Sequence, residues 1–182
     1  MIEGSGEATS VAAAISDEDV ARFWRDGVVC LRGVISAAWL NQVTDAVEAW
    51  LRSPECLDFT GYATEITREA GAAMMTDDRP EASGRGHFFS GIDHWQNAPA
   101  LRDFAFRSPL PEIAARLLKA NKINLYEDSI LVKEPGTLEK TAFHQDIGYF
   151  HAEGHQICTT WVPLDPVTER TGALKFIRGS HL

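Results

Sequence analysis

The sequence predicts an α+β fold in which helices come first and strands follow. Two observations indicate this order. Apolar residues recur at helical spacing through much of the first 120 residues, and the later part of the chain is rich in β-branched and aromatic residues between turn signals. Strands at such short intervals are typical of a sandwich, a barrel or a jelly roll.

The first helix is predicted to begin after Ser16, because "SDEDVARFWRDG" combines a start signal with a stop signal. Ser16 suits the N-cap position, Asp19 follows at the third helical position, and Gly27 ends the helix. Residues 1–15 are small and polar and are predicted to form a disordered tail, which leaves residues 16–182 as a single domain.

The second helix is predicted over residues 36–53, after a short strand over residues 28–33, "VVCLRG". Its apolar residues share one side and are expected to pack in a core rather than to contact a cofactor. They are Trp39, Leu40, Val43, Val47, Trp50 and Leu51. Residues 54–84 have little periodicity and several Gly and Pro residues. They indicate a long surface excursion with a short helix near 65–75.

The remaining elements follow from the same signals. Residues 84–91 are expected to be extended, and "APALRDFAFRS" and residues 109–120 are expected to be helical, each with a proline near its start. Strands are predicted within 122–136, which alternates and ends in a Pro-Gly turn, and then over 155–165 and 172–182.

Composition excludes several classes of protein. Hydrophobic residues make up 45% of the chain, which is ordinary for a globular domain, and a net charge of −9 argues against a general nucleic-acid binder. No apolar run reaches transmembrane length, and the N-terminus lacks the basic and apolar regions of a signal peptide. The three cysteines have no close spacing, which favours reduced thiols. We therefore predict a cytoplasmic protein with neither nucleic acid nor a membrane as a partner.

The stretch "AFHQDIGYF", residues 142–150, places His144 and Asp146 two residues apart among aromatic and apolar residues. On an extended chain both side chains point to the same face, and Gln145 points away. An imidazole and a carboxylate are two of the three ligands of a 2-His-1-carboxylate iron site. A surface turn or a helix-capping aspartate is the alternative reading of the same spacing.

Three segments together carry a more specific signal: "LYEDSILVKEPGT", "FHQDIGYF" and "TTWVPLDPVTERTGALKFIRGSH". In this order and spacing they resemble the phytanoyl-CoA dioxygenase family of non-haem iron(II), 2-oxoglutarate-dependent oxygenases, most clearly over residues 120–182. The resemblance implies a double-stranded β-helix, also called a jelly roll, of the cupin type. It also implies Fe(2+) held by His144 and Asp146, with 2-oxoglutarate as cosubstrate.

The resemblance further suggests that Lys133 contacts the 2-oxoglutarate carboxylates, with Gln145 and Trp161 as weaker candidates for the cosubstrate pocket. A lysine ammonium is a strong partner for a carboxylate, although a lysine at the end of an apolar strand can also be a snorkelling or edge-strand residue. Trp161 offers a flat apolar wall, with plain core packing as its alternative.

The carboxylate at Asp146 also bears on the reaction. A halogenating relative needs an open metal position for halide where this side chain would sit. Asp146 therefore favours hydroxylation or a related oxidation of a small organic substrate with O₂.

The other histidines fit less well as ligands. His151 and His155 lie in "HAEGH", where Gly154 argues against a helical zinc motif, so solvated loop histidines are expected. His87 and His94 lie in an aromatic setting and are interpreted as core histidines or, alternatively, as substrate contacts.

The sequence departs from the family pattern at its end. The third ligand, a distal histidine, and the residue that grips the far carboxylate of 2-oxoglutarate normally lie beyond the "GSH" segment. The chain offers about five extended segments against the roughly eight strands of a jelly roll. We therefore expect a domain without its C-terminal strands. Two hypotheses remain: a dioxygenase, or a non-catalytic jelly-roll fragment or pseudo-enzyme that binds a ligand or partner.

Overall fold

The computed structural model describes residues 15–61, 86–137 and 141–182. Most of the predicted tail and the predicted helix near 65–75 lie outside these ranges. The chain divides into two compact units. The first unit comprises Met1–Asn41, Asp103–Asn124 and Tyr149–Leu182, and the second comprises Gln42–Arg102 and Leu125–Gly148. The single domain expected over residues 16–182 stays a prediction.

Helix α1, Asp17–Asp26, forms as the sequence predicts. The Ser16 hydroxyl accepts a hydrogen bond from the backbone N–H of Asp19 over 3.1 Å. The Asp19 carboxylate accepts one from the backbone N–H of Ser16, also over 3.1 Å. Gly27 ends the helix with a φ of 78°. This is the left-handed conformation that favours glycine. Capping box and stop signal are therefore confirmed.

The core of the first unit lies between α1 and helix α4, Leu110–Leu118. Its buried members are Ile15, Val20, Ile113 and Leu117. The indole N–H of Trp24 donates a hydrogen bond to the Leu117 carbonyl over 2.8 Å, which fixes the two helices against each other. The proline-started helix predicted over 109–120 is confirmed.

The strand predicted over residues 28–33 is wrong. Val29 and Leu31 lie two residues apart, as on one side of a strand, but both pack against the α1–α4 core, and neither has a ladder partner among the described residues. Alternation shows only that one side of an extended segment is apolar. Whether that side faces a sheet or helices depends on the tertiary structure.

The second unit contains most of helix α2, Ala37–Leu51, and the beginning of helix α3, Pro99–Arg107, and each helix continues into the first unit. The buried residues of α2 are Val43, Val47 and Trp50, which confirms their predicted core role. The Gln42 side chain donates a hydrogen bond to the Ala100 carbonyl over 3.1 Å and so links α2 to α3.

Among the described residues, three strands form one antiparallel sheet in the order β1-β2-β3. The strands are β1, Leu57–Asp58; β2, Phe88–Ile92; and β3, Ser129–Lys133. The β2–β3 register places Phe88 opposite Lys133. Ile130 is buried at 7% exposure, whereas the next residue, Leu131, is 61% exposed. Since side chains alternate along a strand, Leu131 and Lys133 share the exposed face.

The strands predicted over 155–165 and 172–182 are also wrong, since neither segment pairs with another strand in the part of the chain that the structure describes. Backbone bonds of the second segment go elsewhere: Ala173 N–H binds the Thr168 carbonyl over 3.0 Å, and Gly179 N–H binds the Asp26 carbonyl over 2.9 Å. The α+β class is confirmed, and the jelly roll stays a prediction. No helix in the described ranges combines the length and apolar character needed to span a bilayer.

Candidate metal centre

His144 and Asp146 converge in the structure. The Nε2 atom of His144 lies 3.0 Å from Oδ1 of Asp146. The prediction placed both side chains on one face of an extended segment. In the structure Asp146 instead begins a 3-10 turn, Asp146–Gly148, and this turn brings its carboxylate to His144. The two side chains are 33% and 41% exposed, so a ligand from solvent can reach both.

A second contact determines which nitrogen of His144 carries the hydrogen. Nδ1 lies 2.8 Å from the Ala142 carbonyl oxygen. A carbonyl can only accept, so Nδ1 carries the hydrogen. In the neutral imidazole, Nε2 then presents a lone pair to the Asp146 carboxylate. Two acceptor atoms at this distance repel each other unless a proton or a metal cation lies between them.

These residues fit a divalent iron ion. Imidazole nitrogen and carboxylate oxygen are the donor types of non-haem iron(II) sites. A metal-binding histidine usually donates its other N–H to a carbonyl or carboxylate, as His144 does to Ala142. Within the described ranges, no group of three or more His, Cys, Asp or Glu residues could hold a metal. The two side chains are thus of the ligand types predicted, and their binding of iron stays a prediction.

Lys133 lies at the end of β3, as predicted, and contacts the segment that carries the pair. Its ammonium donates a hydrogen bond to Oγ1 of Thr141 over 2.8 Å. The same Nζ atom lies 5.2 Å from the centre of the Phe88 ring, within cation–π distance. Sequence reasoning did not identify Thr141. The only available signal was a hydroxyl residue after the Pro-Gly turn and shortly before His144.

The two weaker candidates belong to different units. Gln145 is exposed in the second unit, and its backbone carbonyl accepts a hydrogen bond from Gly148 N–H over 3.2 Å. Trp161 belongs to the first unit and is 46% exposed, so plain core packing is not its role.

The other histidines have identifiable surroundings. His151 and His155 are exposed, as predicted. His94 packs against Trp50 with ring centres 5.0 Å apart, in keeping with a core histidine. His87 is instead 54% exposed, and its Nδ1 lies 2.8 Å from the Asp58 carboxylate, so the core interpretation is wrong for this residue.

The chain matches the model of one known protein family over most of its length. Residues 23–182 match the family model described as phytanoyl-CoA dioxygenase (PhyH), which includes every residue discussed at this centre. The chain belongs to this family. Members of the phytanoyl-CoA dioxygenase family are generally iron(II)- and 2-oxoglutarate-dependent oxygenases. No curated protein and no solved structure shows significant similarity to the chain.

Proposed function

We propose that the protein is an iron(II)- and 2-oxoglutarate-dependent dioxygenase that hydroxylates a small organic substrate with O₂. The observation that supports this best is the convergence of His144 Nε2 and Asp146 Oδ1 at 3.0 Å. Membership of the phytanoyl-CoA dioxygenase family supports the same reaction class.

His144 and Asp146 would hold the iron. The Ala142 carbonyl orients the imidazole and keeps Nε2 directed at the carboxylate, so the ligand pair is preorganised. Bound iron(II) would supply the redox chemistry that couples decarboxylation of 2-oxoglutarate to oxidation of a C–H bond.

Lys133 would bind a carboxylate of 2-oxoglutarate. Its contacts with Thr141 and Phe88 hold a long, flexible side chain in one place. We also propose Gln145 and Trp161 as residues of the cosubstrate pocket, since the family match spans both positions. The cytoplasmic location stays a prediction.

The test compares the full chain with its His144→Ala and Asp146→Ala variants. Calorimetric titration with iron(II) without oxygen measures metal affinity, and succinate formation from 2-oxoglutarate measures turnover. Each variant is expected to lose at least about tenfold in iron affinity, which corresponds to about 1.4 kcal/mol.

The matched controls are His155→Ala and Asp165→Ala, because both side chains are exposed and lie outside the pair. They should bind iron(II) like the unmodified chain. Iron affinity and succinate formation that survive in both His144→Ala and Asp146→Ala would refute the assignment.

A further inference from the structure

Among the described residues, Thr141 and Phe88 hold the ammonium of Lys133 in place. Thr141 accepts its hydrogen bond over 2.8 Å, and the Phe88 ring lies 5.2 Å from Nζ. Phe88 is also the cross-strand partner of Lys133, so the β2–β3 ladder determines where the ring lies. A lysine side chain is otherwise a flexible four-carbon stem. The two contacts therefore convert a mobile charge into a positioned one.

The hydroxyl proton of Thr141 takes no part in its hydrogen bond with Lys133. An ammonium has no lone pair, so the threonine oxygen must be the acceptor in this bond. A hydroxyl that accepts a hydrogen bond still has its own proton to donate. Lys133 Nζ and Thr141 Oγ1 thus bring two donor groups within 2.8 Å of each other, and a carboxylate has two oxygens to receive them.

We propose that Thr141 is a positioning and specificity-determining residue for the cosubstrate. It holds the Lys133 ammonium in place and donates its own hydroxyl proton to the same carboxylate. A carboxylate anchored at a fixed point limits the length of the dicarboxylate that also reaches the His144–Asp146 pair. The inference rests on the proposed role of Lys133 in binding 2-oxoglutarate.

The experiment titrates 2-oxoglutarate, and separately the one-methylene-longer 2-oxoadipate, into the iron(II)-loaded full chain without oxygen. Thr141→Val is expected to raise the Kd for 2-oxoglutarate about tenfold, as loss of a charge-assisted hydrogen bond would. It should also reduce the preference for 2-oxoglutarate over 2-oxoadipate, because the ammonium is no longer confined. Thr141→Ser keeps the hydroxyl and should restore both values to within about twofold of the original.

Two further variants complete the design. Ser129→Ala removes an exposed hydroxyl at the opposite end of β3 and should change neither Kd. Lys133→Met tests the cosubstrate role of the lysine itself and should weaken 2-oxoglutarate binding at least as much as Thr141→Val. Should the valine variant fail to fold, Thr141→Ala provides the same comparison.

The possible outcomes distinguish the role of Lys133 from that of Thr141. If Lys133→Met weakens binding and Thr141→Val matches the original chain, the inference about Thr141 is overturned and the role of Lys133 stands. If Thr141→Val weakens both acids equally and Thr141→Ser does not restore binding, the residue is merely structural and the inference is also overturned. If Lys133→Met changes nothing, or the original chain does not bind 2-oxoglutarate, both the cosubstrate assignment and the inference fail.

Discussion

Arg178 donates a hydrogen bond to the carboxylate of Asp26 over 2.9 Å, which joins two residues 152 positions apart. Arg25 binds the same carboxylate over 2.9 and 3.0 Å, and the next residue after Arg178, Gly179, donates its N–H to the Asp26 carbonyl. The "RGSH" segment, residues 178–181, is therefore attached to the end of α1. We infer a stabilising role for this segment in the first unit.

Replacing Asp26 should reduce stability in a pH-dependent way. Hydrogen bonds from Arg25 and then from Arg178 lower the pKa of Asp26 from 3.8 to about 2. A lowered carboxyl pKa stabilises the fold fully above the ordinary value, and this stabilisation disappears as pH falls through the interval between 3.8 and about 2. Asp26→Asn should therefore melt at a lower temperature than the original chain at pH 7, and the difference should shrink over that interval.

Thermal unfolding followed by circular dichroism between pH 2 and pH 7 measures this difference. Asp45→Asn removes an exposed carboxylate of α2 and serves as the control. A melting difference for Asp26→Asn that stays constant down to pH 2 would contradict the role of its charge.

Replacing Gly27 by a residue with a side chain should destabilise the fold for two separate reasons. Its φ of 78° disfavours any residue with a Cβ, and an added Cβ would collide with Nδ1 of His181. Gly33 has a similar φ of 70° but no heavy atom within 4 Å of an added Cβ. Gly33→Ala should therefore lower the free energy of unfolding by about 1–2 kcal/mol, because alanine disfavours a positive φ, and Gly27→Ala should lower it further.

Urea denaturation of the two alanine variants measures the difference between them. The double variant Gly27→Ala/His181→Ala removes the collision and should recover the excess loss, apart from the bond that His181 makes to the Trp24 carbonyl over 3.1 Å. Equal destabilisation of Gly27→Ala and Gly33→Ala would show that the His181 ring moves aside at no cost.

Asp128 should make the second unit less stable as pH rises. Burial raises its pKa above 3.8, and the bond from Trp95 N–H and the charge of His94 only partly oppose this. A raised carboxyl pKa means that the folded state prefers the protonated form, so stability falls as pH rises through the interval above 3.8. Asp128→Asn should remove this decline, because it is uncharged and keeps an oxygen for Trp95.

The comparison variant is Asp128→Ala, which loses the acceptor for the 3.1 Å bond from Trp95 N–H. It should be about 0.5–1.5 kcal/mol less stable than Asp128→Asn in urea denaturation at pH 7. Equal stability of the two variants would show that the hydrogen bond contributes nothing to the fold.

Part of the candidate site could be predicted from the sequence. His144, Asp146 and Lys133 carry charge or metal-binding chemistry in segments with a specific order, so their types and spacing identified them. Thr141 carries no such signal, and its contact with Lys133 appears only once β3 and the segment before His144 are folded against each other. The position of Arg178 beside Asp26 was equally hidden, because nothing in either local segment indicates a partner 152 residues away.

The sequence by itself determined the helices and the family. A helix satisfies its backbone hydrogen bonds within one segment, so the Ser16 cap, the apolar spacing and the Gly27 stop are sufficient to predict α1. A strand needs a partner from elsewhere in the chain, and only the tertiary structure decided which extended segments obtained one. Phe88–Ile92 and Ser129–Lys133 pair with each other, whereas Val29 and Leu31 pack on helices and the Gly179 N–H binds the end of α1.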